Sequence, residues 1–261
     1  MDRPVSSISS CVYPRAGARS ILKQLLTYVL TALLIGTSLA TAEPAKPPVP
    51  EEEMVSRFVQ ANQQQQTVLR GGTMEVDMDA SVPKLKKQGK LHALKNISKL
   101  GKITYHALGF SGDNMVKTEV IARYLNAELQ ANQDGANMGI TQENYKFKYK
   151  GVEYVGGRDV YILHVTPRHK KVGLFKGELW LDAKTYMPVR ESGQFVKTPS
   201  IFLKKMEFVQ SFEIQDGVSI PQRLESKADV RFFGSVEFTI NYLKFSKEEP
   251  EVSAGGLTDQ Q

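Results

Sequence analysis

Four histidines, a few carboxylate pairs and one cysteine are the side chains of this 261-residue sequence best suited to covalent or metal chemistry. His92, His106, His164 and His169 are scattered over expected strands and a loop, and none has a partner at a metal-ligating interval. His164 and His169 stand five apart with Pro167 between them, which suits neither one strand face nor a helical pair. Asp77 and Asp79 share a face of one expected strand, as do Glu178 and Asp182 of another. Acid–base catalysis could use such pairs, but a solvated strand face produces them equally well. No serine lies in a nucleophile elbow and no glycine-rich phosphate loop is present. The sequence therefore predicts a non-enzymatic protein with no catalytic residue, metal ligand or cofactor.

The N-terminal residues have their own logic. A stretch carrying Arg15, Arg19 and Lys23 leads into an uncharged run from Leu25 to Ala40, and Ala40-Thr41-Ala42 precedes Glu43. This is the order of a secretory signal peptide (1–42), with cleavage expected after Ala42. An uncleaved anchor is the competing reading, and the run is short for a membrane span. Residues 43–50 form a Pro-rich spacer. Cys11 lies ahead of the apolar run, so the mature chain has no thiol for a disulfide, a metal or a nucleophile. Glu43 also stands where a bacterial lipoprotein would need its lipidated cysteine, so a soluble exported protein is expected. Removing residues 1–42 leaves 30 Lys and Arg against 27 Asp and Glu, a charge of +3. That is too mild to indicate a nucleic-acid partner.

From residue 51 the hydrophobic pattern sets the elements. "EEEMVSRFVQANQQQQTVLR" spaces Met54, Val55, Phe58, Val68 and Leu69 as a helical stripe behind three glutamates, and Gly71-Gly72 ends it. "TMEVDMDASV" alternates as a strand with one wet face. Strands near Leu91–Leu94 and Ile103–Phe110 lead to a second helix carrying Val116, Val120, Ile121, Tyr124, Leu125 and Leu129. From Tyr145 onward seven strands follow one another with short turns, which predicts an antiparallel meander. The fold class expected is α+β, mainly antiparallel β, as a strongly curved sheet or open barrel with helices over one face. Residues 51–248 form the single domain and 249–261 a disordered tail.

One face of this sheet collects Met and Phe. Phe202, Met206, Phe208 and Phe212 fall together, as do Phe232, Val236, Phe238 and Ile240, and Met74, Val76 and Met78 join them. Such side chains adapt to apolar partners. Two readings stay open: a filled core beneath the helices, or a cavity that takes an acyl chain. The basic runs 84–90 and 167–171 read as solvated loops or edge-strand protection, with contact to anionic head groups the alternative. In "GELWLDA" (177–183) Leu179 and Leu181 point inward, and the lone tryptophan, Trp180, points outward with Glu178 and Asp182.

The motifs "GRDVYILHVTPR", "GELWLDAKTYMPVRESGQF", "KKMEFVQSFEIQDGVSIPQRLE" and "VEFTINYLKF" resemble the LolA and LolB superfamily of outer-membrane lipoprotein-sorting proteins over roughly residues 51–245. The resemblance implies a half-open antiparallel barrel in the periplasm, with a helical lid carrying Val120, Ile121, Tyr124 and Leu125. It also implies a monomer whose apolar interior, including Leu179 and Leu181, shelters lipid or lipoprotein acyl chains. With no lipidation cysteine, the chain looks more like the soluble shuttle than the anchored receptor. No arginine here is matched to the family's lid-closing arginine, and Tyr186 stands where related hairpins often carry glycine. Relatives with this fold also include stress sensors that regulate a membrane partner. An envelope sensor or scaffold that binds a membrane protein complex is therefore the alternative role.

Overall fold

A computed structural model describes residues 48–133, 139–198 and 203–247. The expected signal peptide, the start of the expected spacer, the expected C-terminal tail and Phe202 lie outside the described residues. Helix α1 (Glu51–Leu69) begins the domain. It is followed by β1 (Gly72–Val82), a 3-10 turn (Pro83–Leu85), β2 (Lys87–Ile97) and β3 (Ile103–Gly112). A second helical segment comprises α2 (Asn114–Val116), a π-helical stretch (Lys117–Ile121) and α3 (Ala122–Gln133). Seven strands complete the domain: β4 (Tyr145–Val155), β5 (Arg158–Pro167), β6 (Phe175–Asp182), β7 (Pro188–Phe195), β8 (Leu203–Gln215), β9 (Val218–Val230) and β10 (Gly234–Lys247).

Among the described residues the ten strands form one curved, unclosed antiparallel sheet in the order β3-β2-β1-β10-β9-β8-β7-β6-β5-β4. The expected fold class is the one observed. Because β3 and β4 lie at opposite edges, the segment joining them carries the chain from one edge of the sheet to the other. The alternation expected of β1 is complete: Met74, Val76, Met78, Ala80 and Val82 are buried while the intervening residues are partly exposed. Gly71, at φ +76°, turns the chain from α1 into β1.

Both helical segments lie on the inner face, over different parts of it. Met54, Val55, Phe58 and Ala61 of α1 are buried with Leu163, Leu179 and Leu181 of β5 and β6. Two long-range hydrogen bonds fix this helix. The carboxylate of Glu51 accepts the N–H of Tyr149 on the edge strand β4 at 2.7 Å, and Gln65 Nε2 donates to the Ser219 carbonyl of β9 at 2.6 Å. The expected stripe is therefore rotated at its end: Gln65 is buried, whereas Val68 is 39% exposed. A helix lying across several strands can bury a polar side chain where a backbone carbonyl receives it.

The second helical segment covers the other end of the sheet. Val116 and Ile121 are fully buried against β1, β2 and β10, and Val120, Tyr124 and Leu125 pack partly buried on the same cluster. Asp113 caps it, accepting the Met115 N–H at 2.8 Å.

Candidate functional site

The carboxylate pairs noted in the sequence have structural partners. On the outer face, His92 lies 2.7 Å from Asp77 and 3.2 Å from Glu75, and Lys90 pairs with Asp79 at 2.6 Å. Asp182 is 5% exposed, not the solvated residue its strand position suggests. It accepts the N–H groups of Lys184 and Thr185 at 3.0 and 2.8 Å, so it stabilises the β6–β7 turn. Among the described residues no cluster of His, Cys, Asp and Glu could hold a metal ion.

Trp180 lies on the outer face opposite Arg190, whose guanidinium carbon is 5.0 Å from the ring centre. The indole N–H donates to Glu178 at 3.1 Å. The β6–β7 turn that follows places Tyr186 at φ +59°, a left-handed conformation unusual for a bulky side chain.

The two helical segments cover separate apolar clusters, and between them the inner face of β7, β8 and β9 is left open. A groove of about 300 Å³ occupies that gap. Its floor is Met206, Phe208, Gln210 and Phe212 of β8. Glu191 and Phe195 of β7 form one side, and Pro221, Leu224 and Ser226 of β9 the other. Tyr124 of α3 stands over it, its ring 4.5 Å from that of Phe238. The Phe208 ring meets Phe175 edge-on at 4.9 Å and Phe195 at 5.1 Å. Gly177 and Gly193 are paired beneath these rings. A Cβ on Gly177 would overlap the Ser192 carbonyl, so only glycine allows β6 and β7 to approach so closely here.

The structure thus divides the residues expected to line a cavity. Met206, Phe208 and Phe212 line the open groove. Met74, Val76, Met78, Val236, Phe238 and Ile240 are packed beneath the second helical segment, and Leu179 and Leu181 beneath α1. Phe232 falls in the β9–β10 turn and is 70% exposed, because the strand ends at Val230 and alternation no longer directs its side chain.

Glu191 escaped the sequence reading because a charged residue in a strand is ordinarily assigned to the wet face. Its cross-strand neighbour is the fully buried Leu179, which places it inward. Burial pushes its carboxyl up from the ordinary 4.5 to about 7. Among the described residues no hydrogen bond or ion pair holds it.

A second inward polar group was also missed. Lys95 follows Leu91 and Ala93 on the buried face of β2, and its ammonium lies 2.5 Å from Glu128 of α3. The Tyr105 hydroxyl donates to the other Glu128 oxygen at 2.5 Å. Burial works to lower the Lys95 pKa, but Glu128 and Tyr242 together outweigh it and hold the ammonium above the ordinary lysine range. Extending the β2 alternation from Leu91 would have placed Lys95 inward.

A family model described only as "Uncharacterized protein" matches residues 128–251. No curated protein matches the sequence. Among solved structures the chain is similar to a DUF1329 family protein from Desulfovibrio piger, at 15% identity over 76% of this chain and 93% of that one, with a TM-score of 0.41. It is also similar to a LolA superfamily protein from Nitrosomonas europaea (9% identity, 75% and 94% covered, TM-score 0.36). A third is an outer membrane lipoprotein-sorting protein domain from Vibrio parahaemolyticus (11% identity, 74% and 92% covered, TM-score 0.37). Among the described residues no helix is long and apolar enough to cross a membrane.

Proposed function

We propose that this domain is a non-catalytic periplasmic binder or carrier of lipid acyl chains, and that the groove over β7–β9 receives the chain. The observation that carries this reading is an open apolar groove, floored by Met206, Phe208 and Phe212, on a face whose two ends are filled by helices. Its volume of about 300 Å³ lies at the small end of ligand pockets and suits one chain. Each buried methylene contributes about 0.8 kcal/mol, enough for part of one chain to bind reversibly. Accepting a multi-acyl lipoprotein anchor would require the second helical segment to lift from the sheet.

The test is titration of the folded protein with a fluorescent long-chain alcohol, whose head group carries no charge. Saturable binding is expected, weakened by Ser226→Trp, which fills the groove, and by Phe212→Asp, which charges it. Circular dichroism would verify that both variants fold. Absence of saturable binding to the folded wild-type protein would rule the reading out.

An envelope sensor or scaffold is the second reading, and an exposed edge favours it. β4 ends the sheet, and its Val152, Tyr154 and Val155 are 50%, 74% and 45% exposed. An extended segment of a membrane protein could add to such an edge. Binding of a defined envelope protein that survives Ser226→Trp but is lost in Tyr154→Pro would support it.

A further inference from the structure

One residue from each strand forms a continuous row across the inner face: Phe110, Leu91, Met78, Ile240, Leu224, Gln210, Glu191, Leu179, Leu163 and Tyr149. The row is apolar apart from Gln210 and Glu191, which are neighbours at the groove. The Gln210 amide nitrogen is satisfied by the sheet, donating to the Ser211 and Arg223 carbonyls at 3.0 and 3.1 Å. Glu191 has no such partner among the described residues. An ionised carboxylate in apolar surroundings is costly unless a counter-charge meets it.

Among the described residues no lysine, arginine or histidine lines the groove. The titratable groups facing Glu191 are Tyr124 of α3, across the groove, and Tyr145 of β4, which is coupled to it electrostatically. β6 and β8 present Leu179 and Gln210 beside it, and β9 presents Pro221, Leu224 and Ser226. None of these is a cation.

We infer that Glu191 is the polar-group recognition residue of the groove and selects an amphiphile whose single alkyl chain carries a protonated amine. The chain would occupy the floor made by Met206, Phe208 and Phe212, and the ammonium would supply the charge that the protein does not. This inference rests on the acyl-chain reading of the groove. Because the carboxyl titrates at about 7, the selection would operate above that pH and fade below it, where Glu191 takes up a proton and loses its charge.

The experiment compares dodecylamine, dodecanol and dodecanoate, each below its micelle concentration, as competitors of a bound fluorescent long-chain alcohol. Wild-type protein and Glu191→Gln are measured on both sides of the titration. Above it, wild-type protein is expected to prefer the amine over the alcohol by roughly tenfold and to disfavour dodecanoate. The amine-to-alcohol ratio should fall toward one in Glu191→Gln, and in the wild type below the titration. A ratio near one in the wild type, or a preference that persists in Glu191→Gln, would overturn the assignment while leaving the groove a binding site. Failure of all three ligands to compete would overturn the assignment and the acyl-chain reading together.

Discussion

Lys95 and Glu128 form a charge pair at 2.5 Å that ties the inner face of β2 to helix α3, with Tyr105 donating to the same carboxylate. The pair is largely buried, so each charge depends on the other. Lys95→Met, which strands Glu128, is expected to cost about 3–5 kcal/mol in urea unfolding. Replacing both partners, as Lys95→Met with Glu128→Leu, should cost clearly less than the sum of the single changes. Simple additivity would show that the two groups are not coupled.

Glu191 makes stability depend on pH. Its folded-state carboxyl titrates at about 7 against an ordinary 4.5, so the folded protein holds a proton that the unfolded chain releases across that window. The neutral form's contribution is present in full below about 4.5 and is lost as pH rises through 7. The loss is at most about 3 kcal/mol, less where water reaches the groove. Glu191→Gln should flatten this decline and be the more stable protein at alkaline pH. An unchanged slope in the variant would assign the pH dependence to another group.

Tyr186 sets backbone strain against side-chain packing. Its left-handed backbone costs about 1–3 kcal/mol. Its buried ring lies 5.9 Å from Tyr161 and beneath the Arg57 guanidinium at 5.2 Å, and losing such a ring costs about 3–5 kcal/mol. Tyr186→Gly is therefore expected to destabilise the protein by about 1–3 kcal/mol, read as a lower Tm. A higher Tm would mean that relief of strain dominates.

Trp180 is a built-in reporter of the outer face. Arg190→Ala should alter its fluorescence while costing only about 0.5–1 kcal/mol. Saturating the groove with a non-fluorescent fatty acid should leave the emission unchanged, because Glu191 and Trp180 face opposite sides of the sheet. A ligand-dependent shift would place the indole in the ligand's path.

Strand periodicity made much of the architecture legible. Met74, Val76 and Met78, like Val236, Phe238 and Ile240, show their inward side by alternation alone, and Leu179 and Leu181 do the same around Trp180. Lys95 and Glu191 break that pattern, since a charge inside a strand resembles an ordinary wet-face residue until its cross-strand partner is known. Asp182 keeps the outer side that alternation gives it, paired with Val160 as Trp180 is with Ile162, and is nonetheless buried because its carboxylate accepts the N–H groups of the β6–β7 turn.

The sequence by itself determined the elements, their antiparallel connection and the apolar face, because these follow from periodicities of two and 3.6 residues and from turn chemistry carried by near neighbours. Only the tertiary structure decided which part of that face is core and which is groove. That depends on where the helices come to rest, and α1 is held by Glu51 to Tyr149 and Gln65 to Ser219, contacts 98 and 154 residues apart in the chain. No local pattern encodes such a distance, so Met78 and Phe212, alike as large apolar side chains on one face, end respectively under a helix and beside an open groove.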